Sequence, residues 1–198
     1  MLEFLNRALF LKINASPDTA PWAVWVAKLV ADDLIYAIPA LLVIYWLWGN
    51  EVKRRRALKS CLVAMSGVGI NQLIGLTWQH PRPFMVGLGH IWMPHAADSS
   101  FPSDHMTVFV GIGVSLMFSG EMVAGILTLT AGIGVAWSRV FLGLHFPLDM
   151  LGSIGVACLS HALISPVWRH VGRTVTGFME TLYRRILAVP IARGLVRR

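Results

Sequence analysis

Residues 138–149, SRVFLGLHFPLD, set His145 six positions after Arg139 and four before Asp149. With Pro147 in the first turn of a helix, the i,i+4 spacing brings the carboxylate near the imidazole. A histidine held this way suits attack on phosphorus. The carboxylate fixes its tautomer and stabilises positive charge on the ring as a phosphohistidine forms. A second region, residues 80–105 (HPRPFMVGLGHIWMPHAADSSFPSDH), supplies Arg82 and His105. His105 is then available to protonate the leaving oxygen and afterwards to activate water. Arg82, placed at a stiff bend by Pro83, and Arg139 stabilise the transferring phosphoryl oxygens together with the Ser103 and Ser138 hydroxyls. The scheme calls for no metal and no cofactor.

Taken singly, each of these side chains has a plainer reading. A lone Arg, Ser or His in a loop is usually solvated surface, and Asp149 alone is a helix-end charge. Two Arg and His sets in facing loops, with an Asp four residues beyond one His, are what favour the chemical reading. His80, His90 and His95 match no common zinc spacing and read as interface or substrate-rim groups. The chain has neither a nucleotide-binding Gly-rich loop nor a GxSxG elbow, which argues against an ATP-driven pump and a serine lipase.

These loops need elements to position them, and the composition says what kind. The 198 residues are 56% hydrophobic and only 14% charged, with mean hydropathy +0.63. Too few charges remain to cover a water-facing surface, so the chain reads as an all-α, polytopic membrane bundle. Apolar stretches over approximately residues 22–48, 59–79, 105–119, 122–137 and 147–167 predict five membrane helices, or six with a further crossing near the N-terminus. Residues 1–21 read as an interfacial segment, with Leu2, Leu5, Leu9 and Ile13 forming a helical stripe. Residues 168–198 read as a basic cytoplasmic tail lying along the membrane, so the whole chain, 1–198, forms one integral-membrane domain.

The net charge of +7 is concentrated in the run Lys53, Arg54, Arg55, Arg56 and Lys59 and in the Arg-rich tail. Both clusters flank apolar stretches, so they read as topology determinants beside anionic lipid and not as a nucleic-acid surface. A cytoplasmic 53–59 run places residues 80–104 and 138–146 together on the outer side. Asp32 and Asp33, inside an apolar stretch, require a partner or the aqueous boundary. Asn71 and Gln72 are expected to make interhelical hydrogen bonds. Cys61 and Cys158 read as packing residues.

The chain resembles the membrane-bound type 2 phosphatidic acid phosphatase (PAP2) superfamily, whose signature is Lys-x6-Arg-Pro, Pro-Ser-x-His and Ser-Arg-x5-His-x3-Asp. Pro102, Ser103, Asp104 and His105 match the second part, and Ser138, Arg139, His145 and Asp149 the third. Of the first part only Arg82 and Pro83 match, because Gly75 stands where the lysine would be. The resemblance implies that His145 is the nucleophile, His105 the acid and base, and Asp149 the partner of His145. It implies that Arg82, Ser103, Ser138 and Arg139 bind phosphate; the contact of the missing lysine falls to Gln79, His80 or water, and Gln79, His80 and Asp104 read as substrate-rim groups.

Within the superfamily, the HPRPF and SFPSDH wording is most similar to bacterial undecaprenyl-diphosphatases. That similarity implies hydrolysis of the polyprenyl diphosphate carrier of envelope polymers at the periplasmic face of the inner membrane, and bacitracin resistance. The alternatives are a phosphatase for phosphatidylglycerophosphate or another lipid phosphate, a phosphotransferase from the polyprenyl carrier to lipid A, and a transporter or structural membrane protein.

Overall fold

The computed structural model describes residues 1–197, which form an all-α chain. α1 (Leu2–Ile13) and α2 (Pro21–Lys28) are followed by a π-helical turn over Leu29–Asp33, a 3-10 turn over Leu34–Tyr36 and α3 (Ala37–Leu47). Then come α4 (Glu51–Thr77), α5 (Asp104–Phe118), α6 (Met122–Phe141), α7 (Pro147–Ile186) and the short α8 (Ala188–Ala192).

Helices α4 to α7 pack together as a bundle with α5 in contact with each of the other three. Asn50 caps α4, accepting a hydrogen bond from the Lys53 amide at 2.9 Å. Small residues let the axes approach: a Cβ on Gly67 of α4 would fall 2.7 Å from the Thr107 methyl of α5. Phe109, Ile112 and Leu116 of α5 fill the centre with Ala57 and Ala64 of α4 and Val135 of α6. The outer faces are apolar: Leu76 is 79% exposed and Val123 73%. Such surfaces suit a lipid solvent.

Among the described residues three helices, α4, α6 and α7, are long and apolar enough to cross a membrane, not the five or six expected from hydropathy. The stretch at 22–48 is divided by the π and 3-10 turns into α2 and α3, of 8 and 11 residues. The stretch at 105–119 forms a 15-residue helix, about 22 Å long at 1.5 Å per residue against a hydrocarbon core of about 30 Å. Hydropathy measured how apolar these stretches are but not where the helix is interrupted.

Both ends of the chain contact the bundle. The Leu2, Leu5 and Leu9 stripe of α1 points away from the bundle, which α1 meets through Phe10 and Asn6 instead. Phe10 stacks edge-on against Phe146 at 5.4 Å, and Asn6 accepts from the Leu148 amide at 3.0 Å. The basic tail is no separate segment at its start, because α7 runs through Pro166 as one 40-residue helix. Arg54 of α4, 1% exposed, reaches Glu180 of that helix at 3.2 Å.

Candidate active site

The C-terminal ends of α4 and α6 and the N-terminal ends of α5 and α7 converge at one end of the bundle, under the long loop 78–103. Tertiary clamps shape this loop. Asn14 donates to the His90 and Phe141 carbonyls and accepts from the His90 amide at 2.7 Å. Trp92 donates its indole N–H to the Ala15 carbonyl and its amide to that of Leu142. Gly143 makes the turn between α6 and α7 at φ +83°, and a Cβ there would lie 2.2 Å from the His90 carbonyl oxygen. Only glycine supplies both the left-handed backbone and the space.

Beneath the loop is a cavity of about 720 Å³ whose walls include Arg82, His95, Asp98, His105, Arg139 and His145. His145 is buried in the turn before α7. Its Nδ1 donates to the Ser100 carbonyl at 2.8 Å and lies 3.3 Å from Asp149 Oδ2. That leaves Nε2 as the lone-pair nitrogen, accepting from Arg82 Nη1 at 3.0 Å. Asp149 also accepts from the Ser100 hydroxyl and, at 2.8 Å, from the Phe146 amide, so one carboxylate caps α7 and orients the imidazole. Burial pushes the His145 pKa down to about 4, opposed by the Asp149 hydrogen bond and reinforced by the Arg139 and Arg82 charges. The ring is therefore neutral at pH 7, and Nε2 serves as a nucleophile once Arg82 Nη1 turns from it to a phosphoryl oxygen.

Arg82 is fixed on four sides. Nε donates to Asp98 at 2.8 Å, Nη1 to the Leu144 carbonyl as well as to His145, and Nη2 to the Ser99 carbonyl. Arg139 donates to His95 Nε2 at 3.1 Å and to the Ala31 carbonyl, while its buried Nε has no partner among the described residues. Asp32 approaches Arg139 to 3.8 Å, giving one of the two carboxylates of the π-helical turn a cation. His95 is shifted down by burial, with Arg82 and Arg139 adding to the fall. Burial would raise Asp98, but the hydrogen bond and charge of Arg82 hold it below the usual carboxylate range.

Among the rim residues, Asp104 accepts from Asn71 at 2.8 Å and from Gln72 at 3.0 Å, so the α4 amides do bond across to α5. Gln79, His80 and Gly75 border the same cavity. Ser103 and Ser138 do not border it: both are fully buried, and the Ser138 hydroxyl donates to the Val135 carbonyl of its own helix. The Ser103 hydroxyl has no partner among the described residues, while its amide donates to Ser153. The sequence reading missed Ser100 and Asp98 and left His95 as an undifferentiated rim group. The available signal was their position in the same loop as Arg82, although spacing alone could not bring them back onto it.

This site stands in the part of the chain that known proteins share. The PAP2 superfamily profile matches residues 56–173, more than half of the chain. YbjG of Escherichia coli (strain K12), named only provisionally as an undecaprenyl-diphosphatase, is 38% identical over the full length of both chains. The undecaprenyl-diphosphatase BcrC of Bacillus subtilis (strain 168) is 36% identical over 66% of this chain and 67% of its own. The crystal structure of Aquifex aeolicus LpxE superposes with a TM-score of 0.69 at 19% identity, covering 82% of this chain and 95% of that one, which is a likeness of fold. From the profile match and the full-length relative together, the chain belongs to the PAP2 superfamily.

Proposed function

We propose that this protein is an undecaprenyl-diphosphate phosphatase, releasing the terminal phosphate of its substrate to leave undecaprenyl phosphate. The observation that carries the chemistry is the orientation of His145, whose Nδ1 is engaged by Ser100 and Asp149 while Nε2 faces the Arg-lined cavity. The substrate class comes from the likeness to BcrC and YbjG.

In the proposed reaction Nε2 of His145 attacks the terminal phosphorus. The bond to the bridging oxygen breaks, and His105 gives that oxygen a proton. The negative diphosphate favours the protonated form of His105 on binding. Water, deprotonated by His105, then cleaves the P–N bond and frees inorganic phosphate. Asp149 stabilises the imidazolium-like intermediate. Arg82 and Arg139 balance charge on the phosphoryl oxygens, the Arg139 Nε being a donor with no present acceptor. Ser103 and Ser138 lie off the cavity wall and take no part in this scheme as placed, whereas Gln79, His80 and Asp104 border the cavity.

The polyprenyl tail remains in lipid against the apolar outer faces of the bundle. The Lys53–Lys59 run lies at the end of α4 remote from the cavity, which supports an active site on the periplasmic side of an inner membrane. On this reading residues 1–198 act as one membrane domain that recycles the lipid carrier for cell-envelope synthesis.

The test is phosphate release from undecaprenyl diphosphate in nanodiscs, with phosphatidylglycerophosphate and phosphatidic acid in parallel. The expected result is preference for the polyprenyl substrate and loss of release in His145→Ala. Equal or greater release from a glycerolipid would overturn the substrate, and full activity of His145→Ala would overturn the mechanism.

A further inference from the structure

At the end of the bundle opposite the candidate active site, a second cavity of about 610 Å³ opens between α4 and α7. Arg55, Arg56 and Lys59 of α4 and Arg169 and Arg173 of α7 line it. Its nearest α4 residue, Lys59, stands 12 positions before Asn71 of the first site, about 18 Å at the helical rise, so the two cavities are separate.

The cations lie in register. Arg55 and Lys59 are i,i+4 on α4, and Arg169 and Arg173 repeat that spacing on α7, an arrangement that costs stability in an isolated helix because like charges face each other. Among the described residues the one carboxylate engaged here is Glu121, which pairs with Arg56. Arg55, Lys59, Arg169 and Arg173 have no ion pair among those residues. The α7 row continues inward through Ser165 to His161, whose Nε2 bonds to Ser165 at 3.2 Å while its buried Nδ1 has no partner. The wall also includes Phe118, 78% exposed on the apolar exterior. Four unmatched cations and spare hydrogen-bonding groups, beside a surface suited to acyl chains, specify the missing component as an anion carried at a membrane boundary.

We propose that this cavity is a binding site for a phosphate group, supplied by the headgroup of an anionic phospholipid or by free phosphate, and independent of the hydrolytic site. The guanidinium rows of α4 and α7 grip the phosphate oxygens and so tie the two helices together through the ligand.

The experiment uses the full chain, delipidated in detergent and titrated with phosphatidylglycerol and, separately, phosphatidylcholine, with bound lipid counted by native mass spectrometry. A second arm follows the melting temperature with inorganic phosphate against sodium chloride at matched ionic strength. Wild type is compared with Lys59→Gln/Arg169→Gln and with Arg55→Gln/Arg173→Gln, so that anion binding at the Arg82 and Arg139 site is common to all three. Phosphatidylglycerol retention falling about tenfold or more in both variants, with phosphatidylcholine unchanged, identifies the lipid headgroup as the source. A phosphate-specific rise in melting temperature, present in wild type and absent in the variants, identifies the free ion. If neither ligand distinguishes wild type from the variants, or both lipids are lost equally, the proposal is overturned. Should a double variant fail to elute as a monodisperse species, Lys59→Gln alone decides by the same criteria with a smaller loss.

Discussion

The carbonyl oxygen of Ser100 lies 2.8 Å from Nδ1 of His145, nearer than the 3.3 Å that separates this nitrogen from Asp149. The backbone of one loop therefore sets the tautomer of the proposed nucleophile, and the carboxylate supports it. Where a carboxylate alone fixes a catalytic histidine, its amide replacement costs about 10⁴-fold by stabilising the wrong tautomer. Here Asp149→Asn keeps the Ser100 acceptor and with it the proton on Nδ1. The expected loss of turnover is about a hundredfold, from weaker stabilisation of the imidazolium. Phosphate release, together with ¹⁵N spectra of labelled histidine, checks both parts; a loss as deep as that of His145→Ala would show that Ser100 does not hold the tautomer.

The depressed pKa of His145 has a measurable sign. Burial, aided by two arginines, sets the folded value at about 4 against 6.5 for a solvated imidazole. Between these values the unfolded chain binds a proton that the native site refuses, so this group's contribution lowers stability as pH falls from about 6.5 to about 4. In the folded protein the His145 resonance, assigned by comparison with His145→Gln, is expected to titrate near pH 4. A midpoint above 6 would mean that the ring is far better solvated or more tightly paired than the geometry indicates.

His95 connects the two arginine systems: its Nε2 accepts from Arg139, and its Nδ1 is 3.8 Å from the Asp98 carboxylate that holds Arg82. This makes His95 a positioning residue for the phosphate cradle. His95→Ala is expected to raise KM about tenfold, with a smaller change in kcat, because Arg139 loses an acceptor that orders it before substrate arrives. His95→Gln, which retains an acceptor, is expected to recover most of the loss. Equal damage by Ala and Gln would leave His95 with a packing role only.

The contrast between His95 and His105 explains how much of the site was legible. His105, Arg139 and Asp149 stand on helices whose apolar pattern is visible in the chain, and an i,i+4 spacing translates directly into proximity. Ser100, His95 and Asp98 belong to a loop without periodicity, whose course depends on contacts from Asn14 and Trp92 to distant backbone. The apolar stretch at 22–48 shows the same limit. Asp32 and Asp33 were visible as costly charges, but not the π-helical turn that contains them and brings Asp32 toward Arg139. Ser103 and Ser138 carry the family spacing, yet their hydroxyls lie off the cavity wall, a matter of rotamer and helix rotation that a motif does not encode.

Arg54 tests whether the lower part of α7 belongs to the folded bundle. Besides Glu180, its guanidinium donates to the Trp46 and Arg197 carbonyls and lies over the Tyr183 ring at 4.6 Å. Removing it leaves the largely buried Glu180 with the longer 3.5 Å contact to Arg184, and takes a donor from the Trp46 carbonyl and from that of Arg197, which keeps Tyr183. Arg54→Ala is therefore expected to cost about 3 kcal/mol, seen as an earlier unfolding midpoint in detergent. Arg54→Met with Glu180→Leu removes both charges while keeping bulk, and is expected to unfold later than Arg54→Ala because no carboxylate remains buried alone. If the single variant melts with wild type, the extension of α7 past Pro166 contributes nothing to stability, and its basic residues act only at the membrane surface.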